Sequence, residues 1–225
     1  MNQDKQNLYR FLVALGDDAV VLSHRLSEWC SNAPYLEEDI ALSNVALDYM
    51  GRARMFYQYA VELENKGNSE DDIAFGRNER EFTNLLIHEL PINDFGFTML
   101  RQFFLDVFYC KYLEQLSQSS DATVAAIASK TVKESRYHLQ RSEPWIRQLS
   151  EGTDESRQRI LDALLELESF VGELFLMQEW EQSLVRSGIA VDREQLKERW
   201  NNLQKNKTQQ NRKKITPQPS GNKRR

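Results

Sequence analysis

The spacing of apolar residues constrains the fold of this chain more than any other feature. In the first segment these residues recur at alternating intervals of four and three: Leu8, Leu12, Leu15, Ala19, Leu22, Leu26 and Trp29. Such intervals place the side chains on one face of an α-helix, as in a helical bundle. The same rhythm returns after Pro34, through Leu42, Ala46, Tyr49, Ala53, Phe56, Ala60 and Leu63. Two long helices are therefore predicted, each of about 25 residues.

Helical patterns continue along most of the remaining chain. A run that is apolar on nearly every side predicts a buried helix, whereas a one-sided pattern predicts a helix at the surface of the core. Capping residues and prolines suggest where helices begin, end or kink. The predicted segments are Arg77 to His88, a buried helix from Phe95 to about Leu116, a helix from Ala122 to about Leu149 capped by Asp121 and kinked near its end by Pro144, an amphipathic helix after Thr153, and a short helix that starts at Asp192.

These segments predict an all-α protein, organised as an antiparallel helical bundle with extra peripheral helices. Nine glycines and five prolines are too few for the turns of a sandwich or barrel. The early apolar run from Phe11 ends at Asp17 and is too short to span a membrane. Beyond Trp200 no apolar repeat remains. We therefore predict a bundle over residues 1–202 and a disordered basic tail over residues 203–225.

The charge of the chain is divided unevenly. Of the 29 Lys and Arg, eight lie in residues 201–225, where none of the 34 acids occurs, so residues 1–200 carry −13. A surface of that charge repels nucleic acid and argues against a nucleic-acid-binding body. The two cysteines form no Cys-x-x-Cys pair. A reduced, cytoplasmic protein without a disulfide framework is therefore expected.

The predicted bundle raises the possibility of a di-metal centre, because ferritin-like bundles build such centres from glutamates and two Glu-x-x-His motifs. The chain has three histidines, and the residues three positions before them are Val21, Leu85 and Ser135. No Glu-x-x-His is therefore present. On the second helix, where a carboxylate-x-x-His would fit, Asp48 is followed three residues later by Gly51, which cannot ligate a metal.

The remaining candidate residues form the pattern of a degenerate carboxylate site. Glu134 and His138 share a face of their helix, and Gln102 and Asp106 lie on the helix expected to oppose them. We considered a functional di-metal site, a metal-free core with compensating cations, and solvated polar residues, and we favour the metal-free core. The degenerate positions are Asp18, Asp48, Gly51, Asp106, Glu134 and His138, and the candidate cations are Arg52, Arg101, Lys111, Lys130 and Lys133. No catalytic, cofactor-binding or metal-ligating residue is predicted on this chain.

Four other residues are of types that can act as reactive groups. His24 is interpreted as a structural or interface histidine, and His88 as the end of the helix before Pro91. Cys30 and Cys110 have no neighbouring base in the sequence, so both are predicted to be small buried apolar residues rather than nucleophiles.

Several motifs between residues 12 and 200 form a recognisable set. They include Leu15-Gly16-Asp17-Asp18, Leu22 to Cys30, Asp39-Ile40-Ala41-Leu42, Ala46-Leu47-Asp48, Asn78 to Phe82, Arg101-Gln102-Phe103, Arg136 to Leu139 and Gly188 to Asp192. Together they resemble one family, the structural subunit (PaaC type) of the bacterial phenylacetyl-CoA epoxidase, a ring-1,2-monooxygenase. The chain departs from the family after Trp200, where a further ordered segment is expected and the sequence instead becomes rich in Asn, Lys and Gln. If that segment contributes to docking, weaker assembly follows.

The resemblance implies a ferritin-like bundle that pairs with a homologous catalytic subunit. In that family the catalytic subunit holds the di-iron centre and binds phenylacetyl-CoA. A small accessory subunit and a reductase with flavin and iron–sulfur centres, which takes electrons from NADPH, belong to the same complex. The structural subunit has lost its metal ligands, so the resemblance places no cofactor on this chain.

Three functions are therefore carried forward. The leading hypothesis is a non-catalytic scaffold of the epoxidase in aerobic phenylacetate catabolism, with aromatic residues such as Trp29, Phe56 and Tyr57 either at its interface or in its core. The alternative is a stand-alone di-metal carboxylate oxidase that uses the atypical Asp, Glu and His positions. A third option is a helical adaptor recruited through its basic tail.

Overall fold

The structure, a computed structural model, describes residues 3–198, and within them every regular element is helical. The predicted tail, residues 203–225, lies outside the described residues. Short 3₁₀ turns occur at Glu79–Glu81 and Gly172–Phe175, and a final helix begins at residue 193. The α-helices before it are α1 (Gln3–Ser27), α2 (Leu36–Glu64), α3 (Glu70–Phe75), α4 (Leu86–Glu89), α5 (Phe95–Leu116), α6 (Ala122–Glu151), α7 (Asp154–Val171) and α8 (Glu181–Arg186).

Helices α1 and α2 form an antiparallel pair. The Ser23 hydroxyl donates to the Ala46 carbonyl at 2.7 Å, and the Tyr57 hydroxyl donates to Asp17 at 2.6 Å. A later residue of α1 is therefore paired with an earlier residue of α2, which is the pattern of two antiparallel helices. Gly16 permits this close approach, because a Cβ at that position would lie only 2.6 Å from Cδ1 of Tyr57.

Helix α6 lies antiparallel to both α2 and α5. Between α2 and α6, Tyr59 bonds Asp121 at 2.7 Å, and Asp48 bonds His138 at 2.9 Å. Between α5 and α6, the side chains of residues 106 and 142 meet near one end and those of residues 114 and 136 near the other. Helices α2 and α5 consequently run in the same direction, joined by the long crossover of residues 65–94. The result is a four-helix bundle with a single long crossover.

The apolar faces predicted from the sequence form the interior of this bundle. Sixteen of the 22 residues of α5 are buried, so α5 is the central helix, as its all-round apolar pattern predicts. Trp29, Phe56 and Tyr57 are 6%, 1% and 1% exposed, which places these three aromatic residues in the core rather than at a surface. Within residues 3–198, no helix is long and apolar enough to cross a membrane.

The predicted helix ends are largely confirmed. Asp121 caps α6 by accepting hydrogen bonds from the backbone N–H groups of Thr123 and Val124, and α5 begins and ends where the pattern predicts. Asp192 caps the final helix by accepting from the N–H of Glu194. Helix α6 continues through Pro144 and ends at Glu151.

The predicted helix from Arg77 to His88 is wrong. Only the 3₁₀ turn and the four residues of α4 are helical there, and residues 82–85 are irregular. The backbone N–H of Thr83 donates to Asp17 at 2.8 Å, and that of Leu85 donates to Asp18 at 2.8 Å. Donors bound to two buried carboxylates of α1 cannot also bond within a helix, so tertiary contacts override the local pattern.

Candidate functional site: a polar cluster inside the bundle

A group of polar side chains from three helices meets inside the apolar core, and we call it the central polar cluster. Its members come from α2, α5 and α6, and all except Asp48 and Glu134 are buried. Buried polar groups of this kind are stable only when they find hydrogen-bond or charge partners. The cluster consists of Asp48, Tyr49, Arg52, Gln102, Asp106, Tyr109, Glu134, Ser135, His138 and Ser142.

Arg52 supplies the positive charge of the cluster. Its side chain is 2% exposed, and Nη2 donates to the Ser135 hydroxyl at 2.9 Å. The guanidinium carbon lies 4.6 Å from the centroid of the Tyr49 ring and 5.2 Å from that of Tyr109. Contacts with two aromatic faces stabilise a desolvated guanidinium. A fixed cation therefore occupies the interior of this bundle.

Asp106 is a fully buried carboxyl group held by two donors. The Gln102 amide donates to Oδ1 at 2.7 Å, and the Ser142 hydroxyl donates to Oδ2 at 2.7 Å. Burial raises the pKa of Asp106 to about 7, although both hydrogen bonds and the charge of Arg52 favour the ionised form. Each carboxyl oxygen of Asp106 thus accepts a hydrogen bond from a neighbouring side chain.

Among the carboxylates of the predicted degenerate site, Asp48 is the one that contacts His138 directly. The His138 Nε2 lies 2.9 Å from Asp48 Oδ2. Burial lowers the pKa of His138 below its ordinary value, so the imidazole is neutral at pH 7 and its Nε2–H donates a hydrogen bond to the carboxylate. Nδ1 is then left as a buried acceptor.

Glu134 lies one helical turn before His138 and is half-buried. Burial raises its pKa, whereas the charge of Arg52 lowers it and that of Asp48 raises it. Its Oε2 is buried without a hydrogen-bond partner among the described residues, as is the Nδ1 of His138. Arg52 therefore compensates Glu134 through its charge rather than through a direct hydrogen bond.

Asp18 contacts the cluster through Tyr109 and also contacts His88. Its carboxylate lies 3.2 Å from Nδ1 of His88 and accepts a long hydrogen bond of 3.4 Å from the Tyr109 hydroxyl. The same hydroxyl is 3.2 Å from Nε2 of His88. His88 is fully buried, so it does more than end a helix. Tyr109 connects this group to the cluster, since its ring contacts Arg52.

Gly51 lies away from the cluster. The residue is on the exposed face of α2, and a Cβ there would meet no atom within 4 Å. The position three residues after Asp48 therefore faces outward.

The cations predicted to compensate the buried carboxylates differ in burial and in their partners. Arg101 is buried but donates to the carbonyl of Leu90, and Lys111 pairs at the surface with Glu114. Lys130 and Lys133 are exposed. Among the predicted cations, Arg52 is the one that lies within the cluster.

The donor set does not fit a di-metal centre of the ferritin-like kind. That centre needs carboxylates and histidines converging on two ions, whereas Arg52 brings a positive charge into this interior and both oxygens of Asp106 are held by neutral donors. In the part of the chain that the structure describes, no three His, Cys, Asp or Glu side chains are grouped to hold a metal ion.

Comparison with known proteins shows to which family the chain is related. Residues 1–220 match the family described as phenylacetic acid catabolic protein. The chain belongs to this family. It is 44% identical over 200 residues to one subunit of the 1,2-phenylacetyl-CoA epoxidase of Escherichia coli (strain K12), and the match covers 89% of this chain and 79% of that protein. The predicted family resemblance is thereby confirmed.

This member of the phenylacetic acid catabolic protein family also contains site residues that the sequence patterns did not reveal. The sequence pattern places Tyr49 only on the apolar face of its helix and indicates no role for Ser135 or Ser142. A signal was nevertheless present, because Ser135, His138 and Ser142 follow one another at intervals of three and four. These intervals place all three on the buried face of α6.

Asp17 is a further functional carboxylate that the sequence pattern does not reveal, and it is 0% exposed. Its carboxylate accepts from the Tyr57 hydroxyl, from the guanidinium of Arg77, and from the backbone and hydroxyl of Thr83. One buried carboxylate thus holds the crossover segment against the α1–α2 pair. By its position in the sequence, Asp17 simply ends an apolar run.

The two cysteines differ in burial. Cys110 is buried, as predicted, and burial raises the pKa of its thiol to about 11. Cys30 is exposed, so its predicted burial is wrong. It follows Trp29 in the turn after α1, where the indole enters the core and donates to the hydroxyl of Thr98 at 3.1 Å. His24 is exposed.

Proposed function

We propose that this chain is a non-catalytic structural subunit of a multicomponent, cytoplasmic phenylacetyl-CoA 1,2-epoxidase that acts in aerobic phenylacetate catabolism. Membership of the phenylacetic acid catabolic protein family and similarity to a subunit of the Escherichia coli epoxidase support the reaction and the complex. The observation that carries the non-catalytic role is Arg52, whose guanidinium occupies the interior where a catalytic bundle of this topology would place metal ligands.

The four-helix arrangement supports a ferritin-like classification. Ferritin-like folds join their helices with one long crossover, and here residues 65–94 connect two helices that run in the same direction. In this proposal the bundle is a ferritin-like fold stabilised by Arg52 and hydrogen bonds. It would fold without a metal and present long rigid helices to its partner.

The partner in this proposal is the homologous catalytic subunit, which would carry the di-iron centre and bind phenylacetyl-CoA. A small accessory subunit and a reductase would complete the complex. The reductase would hold flavin and iron–sulfur centres and oxidise NADPH. This chain would bind none of these cofactors itself.

An apolar stripe on the outer face of α2 supports a role in assembly. Leu36, Ile40 and Leu47 are 72%, 54% and 68% exposed, and their intervals of four and seven residues align them along one side of the helix. Gly51 continues the stripe by one turn with open space above it. A helix of the catalytic subunit could pack closely along such a surface, because no side chain projects at Gly51.

Metal analysis tests the proposal directly. The chain is purified alone and after co-expression with the catalytic subunit, and iron is measured in both preparations with size exclusion to follow the complex. We expect iron in the complex and less than a tenth of an equivalent in the lone chain. Near-stoichiometric iron in the lone chain would overturn the proposal.

The stand-alone di-metal oxidase is retained as a second candidate because of two buried acceptors, Glu134 Oε2 and His138 Nδ1, that have no partner among the described residues. It predicts that Glu134→Ala removes iron from the lone chain. Exposed Glu166, on α7, is a suitable matched control for this substitution.

A further inference from the structure

The outer side of α7 carries exposed leucines flanked by acidic side chains. Leu161 and Leu165 are 46% and 73% exposed, and they lie one turn apart on the side of the helix that faces away from the core. Asp162 and Glu168 are exposed beside this pair, one toward each edge. We call these four residues the α7 face. An apolar pair between charged residues is the kind of surface against which a second segment of protein can pack.

The acids of the α7 face have no cationic partner within the part of the chain that the structure describes. Asp162 accepts one hydrogen bond, from a neutral amide on the preceding turn, and Glu168 accepts none. Residues 160–185 contain six acids and no Lys or Arg. The two arginines of α7, Arg157 and Arg159, pair with acids at the start of that helix. The α7 face is therefore left with uncompensated negative charge.

The C-terminal segment of residues 203–225 is complementary to this face in charge. It contains eight Lys and Arg and no acid, whereas residues 1–200 carry −13. Opposite net charges attract over a range of about 10 Å at 0.1 M salt. Within the segment, Arg212, Lys213 and Lys214 directly precede the apolar Ile215. Cations beside an apolar side chain match a surface on which leucines lie between acids.

The chain is long enough to bring these residues to the α7 face. The described residues end at 198, five positions after Arg193, which binds Glu181 ten residues beyond the end of α7. The stretch from residue 199 to Arg212 can span up to about 46 Å when extended, and α7 itself is about 27 Å long. Because the segment and the face belong to one molecule, their effective concentration is of millimolar order, so weak surface contacts are sufficient.

We propose that residues 203–225 bind the α7 face of their own chain. Ile215 packs against the two exposed leucines, and the cations before it pair with Asp162 and Glu168. The occupant follows from three observations: the opposite charges of the two segments, the apolar residue in each, and the connection between them. The contact requires neither a catalytic subunit nor the outer stripe of α2, so it is independent of the proposed function.

Trypsin accessibility of the full-length chain tests the proposal, because trypsin cleaves after Lys and Arg and a bound segment is protected. Cleavage at Arg212, Lys213 and Lys214 is followed by mass spectrometry of the released peptides, in wild type and in Asp162→Asn/Glu168→Gln, at 50 mM NaCl. We expect the double variant to be cleaved at least about fivefold faster, since proteolysis follows the population of the free segment. In 0.5 M NaCl the two rates should converge, because salt screens exposed ion pairs.

The matched control is Glu62→Gln/Asp71→Asn, which removes the same two charges at exposed positions on α2 and α3. Its cleavage rate should equal that of wild type, with far-UV circular dichroism to verify the fold of both double variants. Equal cleavage of wild type and Asp162→Asn/Glu168→Gln would overturn the proposal. Equal acceleration by the control would do the same, because the attraction would then belong to the whole acidic surface rather than to the α7 face.

Cross-linking of the wild-type chain tests the location without any variant. A carbodiimide joins lysine amines to carboxylates that are in contact, and mass spectrometry identifies the linked residues. In the monomer fraction we expect links from Lys213 or Lys214 to Asp162 or Glu168. Such links found only in a cross-linked dimer would make a second copy the occupant, and links only to other acids would place the segment elsewhere. Either result, or the absence of links, contradicts the proposal.

Discussion

The guanidinium carbon of Arg52 lies 4.6 Å from the centre of the Tyr49 ring, one turn earlier on the same helix. Tyr49 in turn accepts a hydrogen bond of 3.1 Å from Gln102, which also holds Asp106. The cation, the ring and the buried carboxyl group are therefore parts of one network that joins α2 to α5. This network gives the centre of the bundle a fixed positive charge in place of a set of converging ligands.

Replacing Arg52 should destabilise the fold strongly. Arg52→Gln removes the charge that compensates Asp106 and Glu134, together with the contacts to two aromatic rings. Loss of one partner from a buried charged network costs about 3–5 kcal/mol of unfolding free energy. Urea denaturation measures the change, and Arg52→Lys should fall between wild type and Arg52→Gln because it keeps the charge without the planar group.

Arg54 provides the control for Arg52. It lies two residues away on the same helix, but its side chain is 68% exposed and pairs with Glu70 at the surface. Arg54→Gln should therefore change the unfolding free energy by less than about 1 kcal/mol. Equal effects of the two substitutions would show that the Arg52 network has no special energetic role.

Two Gly→Ala substitutions should change stability in opposite directions. At Gly16 a new Cβ would collide with the buried ring of Tyr57, whose hydroxyl is held by Asp17. We expect a loss of about 1–3 kcal/mol. At Gly51 a Cβ meets no atom within 4 Å, so Gly51→Ala should stabilise the isolated chain by about 0.5–1 kcal/mol through helix propensity. Thermal unfolding of both variants gives the comparison, and two shifts of the same sign would contradict it.

The stability contribution of Asp106 should depend on pH. Its pKa in the folded chain is raised to about 7, so the folded state binds this proton more tightly than the unfolded state does. The contribution is fully present below the ordinary carboxyl pKa and is lost as the pH rises through about 7. Asp106→Asn cannot ionise, so its unfolding free energy relative to wild type should rise by about 2 kcal/mol between pH 5 and pH 8.

Urea denaturation at those two pH values measures this difference. His138 is present in both proteins, so its own titration largely cancels from the comparison. Asp71→Asn, at an exposed position on α3, is the matched control. A constant difference between Asp106→Asn and wild type would contradict the raised pKa.

The outer stripe of α2 should determine assembly with the proposed catalytic subunit. Leu47→Glu introduces a charge into the middle of the stripe and should reduce co-purification at least tenfold, because an unpaired charge is costly to bury in an interface. Leu165→Glu is the matched control, since Leu165 is 73% exposed on α7, away from the stripe. Unchanged co-purification of Leu47→Glu, with the lone chain still folded, would place the interface elsewhere.

Local patterns of the sequence were sufficient to predict the main helices. The bounds of α5, the Asp121 cap and the apolar faces of α1 and α2 follow from the identity of residues within a few turns of one another, and each is confirmed. The segment of residues 77–88 was predicted incorrectly because its backbone donors bind Asp17 and Asp18, some 66 residues earlier. No local propensity contains that information.

Helical periodicity and ligand spacing are properties of neighbouring residues, so the sequence alone predicts a helical bundle that lacks Glu-x-x-His motifs. Which candidate residues meet depends instead on the tertiary structure. In the structure Asp48 contacts His138, and Arg52 contacts Ser135. Asp18 contacts His88, whereas Gly51 lies at the surface. These outcomes depend on the relative rotation and register of helices far apart in the chain. Packing of complete apolar faces fixes that geometry, and no single residue encodes it.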